Sequence, residues 1–113
     1  MKLLIQPITI KELDKIAKLR FGDMVKAVVD IEKEIMVIDA ELHADEEALL
    51  LQKDSIQNNL WGINLYPELG QEDWIEFNSM INVRPSIGNR SRGVSDINIQ
   101  KKILAIVNKL IER

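Results

Sequence analysis

Met24-Val25-Lys26-Ala27-Val28-Val29-Asp30-Ile31-Glu32, then Lys33-Glu34, then Ile35-Met36-Val37-Ile38-Asp39-Ala40-Glu41-Leu42: the reading of this stretch decides the fold class. Val25, Ala27, Val29 and Ile31 alternate with Lys26, Asp30 and Glu32, which is the two-residue period of a half-buried strand. Glu32-Lys33-Glu34 is polar enough to turn. The second run, Ile35 to Leu42, is rich in β-branched residues and returns as a second strand. No Asn-Gly or Asp-Gly pair fixes the type of turn between them.

Outward from this hairpin the pattern changes to helical on both sides. Upstream, Thr9-Ile10-Lys11-Glu12 reads as a capping box, and Ile10, Leu13, Ile16 and Ala17 follow at helical spacing up to a stop at Gly22. This predicts a helix over about residues 10 to 20. Leu3 to Ile5 forms a short strand or an extended arm, with Pro7 favouring an edge. Downstream, Asp45-Glu46-Glu47 opens a run that closes on Lys53, a charge order that matches a helix macrodipole over about residues 45 to 53. Leu49 to Leu51 also fits a strand. Asp54-Ser55 ends the run.

Two more strands follow. Leu60 to Tyr66 stops at Pro67, and Trp74 to Arg84 stops at Pro85. The latter alternates, with Ile75, Phe77, Ser79, Ile81 and Val83 on one face and Trp74, Glu76, Asn78, Met80, Asn82 and Arg84 on the other. After the loop from Ser86 to Gly93, Asp96 caps a last helix with Ile99, Ile103, Ile106, Val107, Leu110 and Ile111 as its buried stripe. The expected fold is α+β: an antiparallel sheet of about four to five strands with two to three helices packed on one face.

At 113 residues the chain fits one domain, spanning 1–113, and buries enough surface to need no disulfide or structural metal. It has no cysteine, which removes disulfides, thiolate zinc sites and cysteine nucleophiles together. Met1-Lys2-Leu3-Leu4-Ile5 breaks at Gln6-Pro7, too early for a signal peptide, and no apolar run reaches the ~20 residues of a membrane span. The cytoplasm is the expected compartment, with no membrane partner. The net charge of −3 does not advertise a nucleic-acid binder. Charge is nonetheless uneven: acids dominate from Lys26 to Asp54, whereas Asn78 to Ser95 holds three arginines and no acid.

Several strings carry a resemblance. Glu41-Leu42-His43-Ala44-Asp45, Leu60-Trp61-Gly62-Ile63-Asn64-Leu65-Tyr66-Pro67, Ile75 to Pro85 and Gly88-Asn89-Arg90-Ser91 are together similar to a family of small prokaryotic proteins that carry a domain of unknown function. The likeness runs over nearly the whole chain from Met24 onward. Ala40 stands where such proteins tend to have Gly, and Asp54-Ser55 where they tend to have Gly-Ser; both differences bear on turn geometry. The family has no established activity, so the resemblance implies a shared fold and no chemistry.

Three constellations are candidates for chemistry. In an extended strand Glu41 and His43 point to the same face, with Asp39 in the same row. A carboxylate beside an imidazole supports general-base work near neutral pH. His43 is the only histidine and there is no thiolate, which disfavours an all-protein zinc site; no cofactor is expected, and the metal this row favours is a carboxylate-bound Mg²⁺ or Mn²⁺. The bland reading is a solvated sheet face leading into a helix, with His43 or Asp45 as the cap. The second constellation is Arg84, Arg90 and Arg92 with Asn89 and two glycines, which suits a phosphate or carboxylate, or else pairs with the acids of residues 39–47. The third is the polar strand face of Glu76, Asn78, Asn82 and Arg84 with Asn64 beside it, notable because Asn is depleted in strands. Ser79 falls on the apolar face of that strand. Trp61 and Trp74 read as core or dimer-interface anchors.

These features rank the functions. First comes a non-catalytic binding or regulatory module, a homodimer, holding an anionic ligand or a protein partner on the Asn/Arg face and loop. The alternative is a small hydrolase or nuclease-like enzyme with His43 as base and Arg84 or Arg90 stabilising negative charge. A nucleic-acid-linked role rests only on size and the arginine loop.

Overall fold

In the computed structural model, which describes residues 1–113, the alternating stretch becomes the centre of a five-stranded antiparallel sheet. The elements are β1 (Lys2–Leu4), β2 (Ile8–Thr9), α1 (Ile10–Arg20), β3 (Val25–Asp30), β4 (Ile35–Ile38), α2 (His43–Gln52), β5 (Leu60–Leu65), β6 (Ile75–Glu76), α3 (Ile97–Leu110) and β7 (Ile111–Glu112). The sheet order is β1-β4-β3-β5-β6, with Val28 opposite Val37 and Lys26 opposite Asn64. β2 and β7 form a separate parallel pair, Ile8 opposite Ile111.

The alternation sorts the faces. Val25, Ala27, Val29, Met36, Ile38, Trp61, Ile63 and Leu65 bury against Leu13 and Ala17 of α1 and Ile103, Ile106, Val107 and Leu110 of α3. Val28, Val37 and Leu60 point the other way and meet Leu50 of α2. Two helices thus share one face and the third covers the opposite one. Both α1 and α3 start at the residues their caps mark: Thr9 Oγ1 accepts from the Glu12 N–H at 3.1 Å and Asp96 from Asn98 N–H at 2.8 Å.

The hairpin turn is built by Asp30. Its Oδ1 accepts from the N–H groups of Glu32 and Lys33, at 2.9 and 3.0 Å, and its Oδ2 from the Ser55 hydroxyl at 2.6 Å. Glu34 then takes a left-handed φ of 56°.

Two expectations for strands need correcting. The second strand does not reach Leu42: Asp39 adopts φ 66°, which turns the chain out of the sheet after Ile38. The strand from Trp74 to Arg84 reduces to Ile75–Glu76. Beyond it the chain crosses over Gly62, where a Cβ would lie 2.5 Å from Ser79 Cβ. Residues Met80–Asn82 close into a 3-10 turn, and the Asn82 side chain completes the edge of β5 in place of a backbone strand. Its Oδ1 accepts from the Gly62 N–H at 2.8 Å and its Nδ2 donates to the Gly62 carbonyl at 3.0 Å.

Candidate functional site: a cationic cleft at the start of α2

The residues α2 buries follow helical spacing, but two of the three, His43 and Glu46, are polar beside Leu50, and the half-buried Glu47 adjoins them. Each polar one has a local answer. Glu46 is fully buried and its Oε2 accepts from the Ala40 N–H at 3.0 Å, holding the turn that follows β4. Burial pushes this carboxyl up to about 9, so it is neutral at pH 7. Glu47 meets Arg84 Nη2 at 3.2 Å, and the Arg84 guanidinium lies 5.2 Å from the centre of the Trp61 ring.

His43 is the first residue of α2, and its Nε2 lies 2.8 Å from the Ile63 carbonyl oxygen. A carbonyl only accepts, so the ring donates there. Burial lowers the imidazole's pKa and outweighs the bonds to the Ile63 carbonyl and the Asn64 side chain, which raise it; the positive charges of Lys26 and Arg92 lower it further. The ring is neutral near pH 7.

His43 opens onto a cleft of about 190 Å³. Lys26 of β3, Ser79 and Arg92 supply its remaining polar wall; Leu42, Ala44, Met80 and Ile81 supply the apolar part. No carboxylate lines it, and neither Lys26 nor Arg92 is in an ion pair. The residue preceding α2 is Leu42, which offers no side-chain cap, so the first N–H groups of the helix add positive potential here. Ser79 Oγ accepts from the Ile81 N–H at 3.3 Å, which leaves its own proton to donate.

Of the site residues singled out from sequence, His43 and Arg92 alone line this cleft. The proposed row of Asp39, Glu41 and His43 is broken, because Asp39 turns the chain and His43 is helical. Glu41 and Asp45 instead border a separate cleft of about 460 Å³ with Asp39, whose carboxylate is tied to Arg20 at 3.0 Å. No group of three or more His, Asp and Glu side chains is arranged to hold a metal ion.

The asparagines build the fold around the cleft. Asn82 also donates to the Arg92 carbonyl at 2.9 Å, and Asn89 donates to the carbonyls of Asn82, Ser91 and Gly93 at 2.7, 3.2 and 2.8 Å. Together they fix the segment that carries Arg92. Asn64 donates to Glu76 at 2.8 Å and to the Asn78 carbonyl at 3.2 Å, and Tyr66 joins Glu76 at 3.1 Å. Arg84 is committed to Glu47 and does not line the cleft; Arg90 is exposed and unpaired. Lys26 and Ser79 were missed by sequence reasoning. The signal for Lys26 was its place as the only basic residue within a strand of apolar neighbours.

A family model described as protein of unknown function (DUF5674) matches residues 2–110. The chain belongs to this family. The match spans every residue of the cleft, from Lys26 to Arg92. Comparison with curated proteins and with solved structures finds no match. No helix is long and apolar enough to cross a membrane.

Proposed function

We propose that the protein is a binding module for a small anion, held in the cleft at the start of α2 by Lys26, Arg92, the Ser79 hydroxyl and the free N–H groups of the helix. The observation that carries this reading is the convergence of two unpaired cations on a concavity with no acid in its wall. Neither cation has a carboxylate partner, Lys26 Nζ resting only 5.4 Å from the centre of the Phe21 ring, and cations so placed beside a helix N-terminus favour negative charge from outside. Asn82 and Asn89 support the reading by preorganising the Arg92 segment, which lowers the ordering cost of binding.

The test is a thermal-shift titration with inorganic phosphate. At a hundred times Kd the stabilisation is about 2.7 kcal/mol, a rise of roughly 10 °C for a chain of this size. Lys26→Ala and Arg92→Ala should each remove most of it. Undiminished shifts in both variants would place the anion elsewhere and end the reading.

A second reading, hydrolysis with His43 as general base and Arg92 stabilising developing charge, is supported by the neutral imidazole opening on the same cleft. Turnover of p-nitrophenyl phosphate that falls at least about a hundredfold in His43→Phe would move it ahead.

A further inference from the structure

We propose that a second copy of this chain docks at the start of α2, each copy setting its cationic cleft against carboxylates on the other flank of the same helix in its partner. This rests on the anion-binding reading in one respect, that Lys26 and Arg92 are the seat of negative charge. Glu41 and Leu42 are neighbours in the chain, yet they border different clefts. On one flank of α2, Glu41 and Asp45 are exposed and in no ion pair. The one basic side chain in the wall of their cleft, Arg20, is held by Asp39 at 3.0 Å. On the other flank Lys26 and Arg92 have no carboxylate. Two free acids and two free cations therefore flank one short segment, with the helix between them.

That layout is complementary to itself. A twofold axis lying along the start of α2 brings the cationic flank of each copy to the acidic flank of the other, so the same contact is made twice. A foreign partner of one sign would leave half of these charges unmet. The ridge between the flanks is apolar and low. Ala44 borders the cationic cleft and Ala48 the acidic one; both are exposed, and four residues apart they share a helix face. Their short side chains let a second backbone approach.

Leu42 and Met80 line the cationic cleft while 54% and 65% exposed, and they give the contact apolar surface to bury. Size agrees with a side chain as the occupant. Pockets that enclose a whole small molecule run to ~300–1,000 Å³, and this one, at about 190 Å³, holds a head group such as one carboxylate.

The experiment is sedimentation velocity of the full chain between about 10 μM and 1 mM, in NaCl from about 50 to 500 mM. At low salt the chain should dimerise within that range, with Kd rising at least about tenfold across the salt series. Glu41→Arg and Arg92→Glu each set like charges together in both halves of the contact, so each alone should sediment as a monomer. Their equimolar mixture should form a one-to-one dimer. Both side chains are exposed and in no ion pair, so both variants keep the fold. Inorganic phosphate should dissociate the wild-type dimer more than NaCl of equal ionic strength, because it takes the cleft that the partner's carboxylates occupy. A wild-type chain that stays monomeric, or a dimer that ignores both substitutions, would overturn the proposal and leave the thermal response to phosphate to judge anion binding. A dimer that passes the mixing test yet responds to phosphate no more than to chloride would support the docking and overturn the anion-binding reading.

Discussion

Replacing Gly62 by alanine tests how the cleft is assembled. The Cβ would fall 2.5 Å from both Ser79 Cβ and Ser79 Oγ, and 3.1 Å from Ile81 Cγ1. Carbon atoms in contact sit ~3.5–4.0 Å apart, so the crossing segment must lift by about 1 Å. Gly62 has no positive φ, so alanine adds no backbone strain and the effect is steric. Overpacking of this kind costs about 1–3 kcal/mol. Lifting the segment also strains the two bonds between Asn82 and Gly62, at 2.8 and 3.0 Å. Each is worth about 1 kcal/mol. The sum is about 3–5 kcal/mol, and at roughly 4 °C per kcal/mol Tm falls by about 12–20 °C. Urea unfolding at 25 °C measures the loss directly. Because Ser79, Met80 and Ile81 all line the cleft, phosphate binding should weaken as well. A stability change below about 0.5 kcal/mol, the range of an ordinary surface substitution, would refute the seating of residues 79–82 on Gly62.

Three further predictions concern the polar seam under α2. Burial pushes the Glu46 carboxyl up to about 9 from its ordinary value of 4.5, so its contribution is greatest below pH ~4.5 and is lost as pH rises through its folded value. Wild-type stability should therefore decline between about pH 5 and pH 9, by at most ~1.4 kcal/mol per pH unit, and Glu46→Gln should flatten that slope in urea titrations. His43 acts in the opposite sense: its lowered pKa removes stability as pH falls below the ordinary imidazole range. Glu47→Ala leaves the buried Arg84 guanidinium without its carboxylate and should cost about 3–5 kcal/mol, whereas the double variant Glu47→Leu with Arg84→Met should recover most of that loss. A double variant no more stable than Glu47→Ala would contradict the pairing.

The parts of the fold set by local chemistry were legible in the sequence. Thr9 and Glu12, the alternation from Val25, and Asp96 before an apolar stripe each act within a few residues, and α1, β3 and α3 lie where those signals put them. The polar site was legible only in part. Asp39 takes a left-handed conformation with no glycine to mark it, so β4 ends four residues early and the carboxylate row dissolves. Residues 77 to 84 alternate like a strand, yet Asn82 bonds to Gly62, twenty positions away, and that contact leaves no periodic trace. His43 and Arg92 were identified from residue type, but their meeting depends on the same crossing.

The amide of Asn82 has a consequence for how copies of the chain behave together. β6 pairs only with Asn64 and Leu65, so the earlier half of β5, Leu60-Trp61-Gly62-Ile63, borders no backbone strand on that side. An apolar strand with open N–H and C=O groups is a template for another chain. One side chain closes that template here, in the middle of the strand. Loss of that amide would leave the Gly62 N–H and C=O without their partners in the middle of a buried strand, so Asn82→Ala should lower stability in urea unfolding and, by opening the edge, raise concentration-dependent light scattering.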